Sequence, residues 1–243
     1  MNAIGLNPIK LDAIGLDPIR MNAIRLGVPV ASSGSGRPYI DPELLSRVKM
    51  AISTWGKTND DPDRAILKDL SGNGNDMRLL NFGFAEGSGY GLPGTDFEGW
   101  LCTDGVDDII ESVKPVSEML EGSNEITVVS IIHQISQIPG SESNKGLNNQ
   151  IVYYDTPNTR GYLRNRVSDI GKTGIYGYTF DGTTHAVINN ILGDKDDYIA
   201  VRNNEGIALN GVFSVCGYKN YYGELKELSS VAYAGGFIAN KVL

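Results

Sequence analysis

The sequence predicts an all-β fold: a sandwich of many short strands, with a short helix and a repetitive arm ahead of it. Three observations predict it. Thirty glycines in 243 residues, gathered in clusters such as GSGYGLPG and DGTTH, supply more tight turns than long helices could use. From Trp55 onward the chain falls into strand-length pieces between these turn signals. Glu125 to Ile135 places Thr127, Val129, Ile131, His133 and Ile135 on one alternating face and Ile126, Val128, Ser130, Ile132 and Gln134 on the other. Both faces are largely apolar, as in a strand covered on both sides.

Composition narrows the partners. The chain is 41% apolar, enough to fill the core of one large domain beside an appendage. A formal net charge of −8 argues against binding a phosphate backbone, so nucleic acid is not an expected partner. No stretch approaches the roughly 18 consecutive apolar residues of a membrane helix, and no membrane partner is expected. The opening MNAIGLNPIKLD has neither the basic start nor the unbroken apolar run of a secretory signal. Residues 1–39 hold four Lys or Arg against two Asp, so the front is weakly basic and suited to an acidic docking surface.

The first element, residues 1–30, counts in fives: AIGLN, PIKLD, AIGLD, PIRMN, AIRLG. The second place is Ile4, Ile9, Ile14, Ile19 and Ile24; the fourth is Leu6, Leu11, Leu16, Met21 and Leu26. The fifth place is Asn7, Asp12, Asp17, Asn22 and Gly27, residues that tolerate corners. A period of five fits neither helix, coiled coil nor strand, and Pro8 and Pro18 exclude a continuous helix. Each row therefore reads as a short extended piece with two inward side chains, followed by a corner. The register is loosely similar to the square coils of pentapeptide-repeat β-helices, although that family has small residues where this chain has Ile. Five such rows leave apolar edges open above and below. Solenoid repeats need neighbours to bury a core, so the arm is expected to anchor and oligomerise. A tail with an accidental repeat is the alternative; ten bulky aliphatics in register speak against it.

Residues 31–54 read as a linker and short helix. ASSGSG, Ala31 to Gly36, is a flexible connector by composition. Asp41-Pro42-Glu43 then offers an N-cap, a proline at the first helical position and an acidic first turn. Leu44, Leu45, Val48 and Ile52 share one helical face, which extends the predicted helix to about residue 52.

Residues 55–243 form the expected main domain. SGNGND, Ser71 to Asp76, is a compact reversal before a strand from Met77 to Phe82. Asp104-Gly105 is a hairpin dipeptide that turns Trp100–Thr103 back on Ile109–Ser112. The motifs DLSGNGND (Asp69 to Asp76) and DGVDD (Asp104 to Asp108), with the β-branched strand that follows, resemble the laminin-G-like and concanavalin-A-like lectin/glucanase superfamily. The stretch GELKELSSVAYAGGFIANKV resembles the closing strand and short helix of the same jelly roll. The resemblance implies a jelly-roll β-sandwich over residues 55–243. More narrowly, residues 54–91 look like a variant found in structural proteins of Bacteroides-type phages, where such a domain follows a short repetitive segment. That implies a virion component, a head fibre, tail fibre or surface decoration, with the particle as its location and other virion proteins as partners.

The expected site inventory is short. The superfamily's glucanases carry a Glu-Asp-Glu set facing one way along a strand, a geometry that places two carboxylates across a glycosidic bond; no such set occurs here. Glu224 and Glu227 are three apart, on opposite faces of a strand, and read as solvated charges. His133 and His185 stand alone and read as packed or hydrogen-bonded histidines. GSGYG lacks the lysine and context of a phosphate loop. The expectation is therefore that the chain is not an enzyme, has no catalytic residue and needs no cofactor. Some relatives hold calcium, and Asp104, Asp107 and Asp108, or Asp194, Asp196 and Asp197, could supply oxygens; turn chemistry is the preferred reading, so no metal is expected. Cys102 and Cys216 read as two buried thiols. Glycan binding is the remaining ligand hypothesis. Tyr153, Tyr154, Tyr162, Tyr176, Tyr178, Tyr221 and Tyr222 could stack on a sugar, or serve as ordinary strand residues. The expected assembly is a homo-oligomer, a trimer by preference. The leading functional expectation is a virion structural protein; a lectin adhering to bacterial surface glycans and a glycan-degrading enzyme are the alternatives.

Overall fold

Alternating strands separated by glycine turns stack as two sheets in the computed structural model, which describes residues 42–136, 147–167, 171, 173–188 and 205–243. The arm with its ten aliphatics, the ASSGSG connector and the Asp194, Asp196 and Asp197 group lie outside the described residues. The first sheet contains β1 (Val48–Ser53), β4 (Gly89–Tyr90), β5 (Leu101–Cys102), β7 (Ile126–Ser136), β10 (Thr173–Phe180), β11 (His185–Ile188) and β15 (Ser230–Ala239). Its order is β11-β10-β7-β15-β5-β4, and β1 also pairs with β15. The second sheet runs β2 (Ile66–Leu67), β3 (Met77–Leu80), β6 (Ile109–Pro115), β12 (Val212–Val215), β8 (Leu147–Asp155), β9 (Arg160–Val167). A two-stranded hairpin, β13 (Tyr218–Lys219) and β14 (Leu225–Lys226), stands apart from both. The described chain is thus an all-β sandwich.

The core lies between the sheets. Val128, Ile132, Tyr176, Tyr178 and Tyr233 of the first sheet meet Met77, Leu79, Ile110, Phe213, Val215, Val152 and Leu163 of the second. The central position expected for the 125–135 segment is observed: β7 lies between β10 and β15. Gly235, at φ 143°, lets β15 run against both neighbours, because a Cβ there would overlap the Ile52 carbonyl.

Three expectations change. The helix stops at Arg47, giving α1 (Pro42–Arg47), and residues 48–53 become β1. The helical spacing of Val48 and Ile52 loses to pairing with β15, which buries Met50, Ala51 and Ile52; propensity is a weak prior against a sheet edge that needs a partner. The Asp104-Gly105 turn closes no hairpin, because Leu101–Cys102 belongs to the first sheet and Ile109–Pro115 to the second. Thr103 ties the incoming strand to β15, its N–H donating to Val231 O (2.9 Å) and its hydroxyl to Ser229 O (2.8 Å). Ile109 and Ile110 pair with Leu80 and Leu79 instead, so the turn carries the chain across the core. The closing strand is present as β15, but no helix follows it among the described residues; the short helices α2 (Val116–Met119) and α3 (Glu205–Ala208) lie elsewhere.

The DLSGNGND loop is a clamp on β1. The Asp69 carboxylate accepts from the N–H groups of Ala51, Ser71 and Asn75 and from the Ser71 hydroxyl, at 2.8–3.0 Å. Asp76 accepts from the Asp69 N–H, and the Asn73 and Asn75 amides donate to the Lys49 carbonyl. Every polar side chain of the motif that these bonds involve points back into the protein.

Candidate functional site

Strand alternation builds the site on the outer face of the second sheet. Leu79, Ile110, Val215, Val152 and Leu163 turn inward, so residues of opposite parity turn out. In register these form a row of Arg78, Glu111, Ser214, Ile151 and Arg164 across five strands, and Tyr153 lies opposite Tyr162 beyond it. The β13–β14 hairpin folds over this face. Tyr218 packs on Tyr153 with ring centres 4.0 Å apart, and Lys219 Nζ lies 3.6 Å from Glu111 Oε1. Glu227 meets Arg164 at 2.9 Å, while the Arg164 guanidinium lies 4.6 Å from the centre of the Tyr162 ring. Cys216 and Glu227, bracketing the hairpin, adopt φ of 68° and 53°, the left-handed region that such residues rarely occupy.

Asp155, at the end of β8, joins the hairpin to the sheet. Its carboxylate accepts from the Tyr153 hydroxyl (3.0 Å), the Tyr221 N–H (3.1 Å) and Arg160 Nε (3.4 Å). Partial burial works against its charge, yet these donors together hold its carboxyl below the usual range. Burial, helped by the bond to Asp155, raises the Tyr153 phenol. Burial and the nearby Glu227 push Tyr218 up to about 12. Both phenols are therefore protonated at neutral pH and act as hydrogen-bond donors.

At the tip, Asn220 to Glu224, all five backbone N–H groups donate within the protein. Asn220 N–H donates to Glu224 O, Tyr221 N–H to Asp155, Tyr222 and Glu224 N–H to Asn220 Oδ1, and Gly223 N–H to Asn220 O. The two side chains on this fixed backbone are displayed: Tyr221 is 51% exposed and Tyr222 79%, with rings 5.3 Å apart and nearly perpendicular.

The candidate tyrosines separate cleanly. Tyr153, Tyr162, Tyr221 and Tyr222 gather at this end; Tyr154 lies half-buried on the other face of β8; Tyr176 and Tyr178 are core residues. Tyr218 was not among the sequence candidates, and the signal for it was its place two residues before the turn-forming NYYG. Glu227 is no solvated charge, since it closes on a buried arginine, whereas Glu224 stays exposed and pairs with Lys226 at 2.9 Å.

Of the other candidates, Asp104, Asp108 and His133 hydrogen-bond within the protein. One carboxylate oxygen from each of Asp104, Asp107 and Asp108 lies within 4.8 Å of the other two. Asp104 accepts from the N–H groups of Val106 and Asp107, and Asp108 from the Asp104 N–H and the Ser88 hydroxyl. Burial, with the neighbouring Asp104 and Asp107 charges adding to it, pushes Asp108 up to about 6. His133 bonds the Thr173 hydroxyl at 2.8 Å, and burial lowers its pKa. The side chain of His185 lies outside the described residues. Cys102 and Cys216 are free and buried, and burial pushes their thiols up to about 11 and about 12.

No protein-family model matches the chain, and no curated protein matches it. Solved structures do. Trypanosoma rangeli sialidase in complex with sialic acid is 11% identical over 88% of this chain and 33% of that one, with a TM-score of 0.48. Another structure of Trypanosoma rangeli sialidase gives 10% identity over the same shares, also with a TM-score of 0.48. The binding domain of botulinum neurotoxin serotype C1 is 13% identical over 82% of this chain and 50% of that one, at 0.43. The chain spans about a third of the sialidases it matches. The expectation that this chain is not an enzyme is corrected here: sialidases stand among its structural neighbours, and the non-enzymatic reading is withdrawn. At such identity and TM-scores the likeness assigns this chain neither an activity nor a catalytic residue.

Proposed function

We propose that the chain is a structural protein of a phage particle, a head fibre, tail fibre or surface decoration, anchored through residues 1–30 and presenting its sandwich outward as a laminin-G-like, concanavalin-A-like jelly roll. The observation behind this reading is a division of the apolar residues. The core of the described residues is filled by the sandwich's own side chains, from Met50 to Ile238. Ahead of it in sequence stand ten aliphatics at a fixed spacing of five, which call for partners: copies of the chain, as a trimer, or another virion protein. Serine at Ile4, Ile9, Ile14, Ile19 and Ile24 in the full chain is expected to reduce the oligomer to a monomer in sedimentation, with the melting of the sandwich unchanged. An unaltered oligomer mass contradicts the anchoring role. A second reading, adhesion to bacterial surface glycans, is compatible with the first and is favoured by the fixed, exposed tyrosine pair.

A further inference from the structure

We infer that the Asn220–Glu224 tip is a binding site for a neutral sugar ring, stacked on Tyr222, bordered by Tyr221 and bonded by the phenolic hydroxyls and the Glu224 carboxylate. The inference deepens the adhesive reading and rests on it for biological setting, but the site itself rests on the tip's own geometry.

Two large aromatics side by side on an exposed turn add little to folding. Tyr222 packs on no core residue, and a polar residue there would cost the sandwich nothing. The backbone beneath them is nonetheless held by five internal N–H bonds, one of them reaching 66 residues back to Asp155. A turn that needed only to reverse the chain would not require that last anchor. Fixing the backbone in advance removes the ordering cost of binding, which is what a small, weakly interacting ligand needs.

The size and charge of the patch select the ligand. A stable protein partner covers on the order of 800 Å² per side, far beyond two tyrosines bordered by ionised side chains. A sugar ring matches one tyrosine face in area and carries hydroxyls for the phenols and for a carboxylate. The nearly perpendicular rings offer one face and one edge, a corner that seats a ring instead of a flat surface. A chain charge of −8 disfavours an acidic sugar.

The test titrates the full chain with neutral oligosaccharides of glucose, galactose, mannose and N-acetylglucosamine, and with an acidic oligosaccharide of N-acetylneuraminic acid, by calorimetry and saturation-transfer NMR. At least one neutral oligosaccharide is expected to bind with a millimolar or lower Kd. Tyr222→Ala is expected to weaken it by roughly tenfold or more. Asn220→Ala, which keeps both rings but loosens the turn, is expected to weaken it by a smaller factor, and Leu92→Ala at a distant exposed position leaves it unchanged. Circular dichroism of each variant separates lost binding from lost fold. Absence of binding across the neutral panel, preference for the acidic oligosaccharide, or binding indifferent to Tyr222→Ala overturns the site, as does capture of a host protein without any sugar signal. The arm variant keeps its sugar binding if only the anchoring reading fails.

Discussion

Two turns in this protein use the same chemistry for opposite ends. In the 69–76 loop the side chains do the bonding: Asp69, Asn73, Asn75 and Asp76 all bond back to the chain, and Asp69 alone accepts four bonds. In the 220–224 tip the backbone is held just as firmly, by Asn220 and Asp155, while Tyr221 and Tyr222 are left outside. The difference separates a turn that closes a fold from one that presents a surface. A motif dense in Asp and Asn is therefore no sign of a ligand site when its oxygens already have donors in the chain, and a plain NYYG is a better candidate.

The comparison breaks most sharply at the clamp. Asp69→Ala strands the N–H groups of Ala51, Ser71 and Asn75, and is expected to lower unfolding stability by about 3 kcal/mol in urea titration while sugar binding persists in the folded fraction. A loss under 1 kcal/mol would show that the loop is not a clamp.

Next in size is a pH effect at the second acidic turn. Asp108 is fully buried and its carboxyl is raised to about 6, so between pH 4 and 6 the folded chain holds a proton that the unfolded chain releases. Stability is expected to fall as pH rises through this window, by up to about 3 kcal/mol, the equivalent of roughly two pKa units. Asp76 and Asp155, whose carboxyls are lowered, act in the opposite sense and only below about pH 4. Asp108→Asn is expected to flatten the slope; a wild-type curve already flat from pH 4 to 6 refutes it.

Arg164→Ala removes the guanidinium that meets Glu227 at 2.9 Å and covers the Tyr162 ring, at an expected cost of about 2 kcal/mol by thermal melting. Because the strained φ at Cys216 and Glu227 persists only while the hairpin is held down, the same variant is expected to raise amide exchange across residues 218–227. The smallest effect belongs to the tip: Tyr222→Ala is expected to change stability by less than about 0.5 kcal/mol. A larger loss would make Tyr222 a structural residue and erase the contrast between the two turns.

Much of this architecture was legible in the sequence, where local chemistry decides the outcome. The glycine clusters, the two-faced strand at 126–136 and the tight SGNGND reversal follow from alternation and turn preference. The errors arose where a distant partner decides. Nothing near Val48 announces that β15 will pair with it, and the helical spacing of Leu44, Leu45, Val48 and Ile52 points the other way. Asp104-Gly105 reads as a hairpin because the pull of Ser229 and Val231 on Thr103 lies more than a hundred residues downstream. At the candidate site, seven tyrosines looked alike in sequence. Parity within each sheet turns Tyr176 and Tyr178 of the first inward and Tyr153 and Tyr162 of the second outward, and a strand pairing is needed before parity is known.

A two-dimensional ¹H–¹⁵N NMR titration of the full chain with a neutral oligosaccharide compares both turns in one measurement. The account predicts saturable shifts confined to Asn220–Glu224 and the adjoining Asp155, with the 69–76 amides unmoved. Shifts centred on the 69–76 loop or the Asp104–Asp108 turn, or no shifts at all, would contradict it.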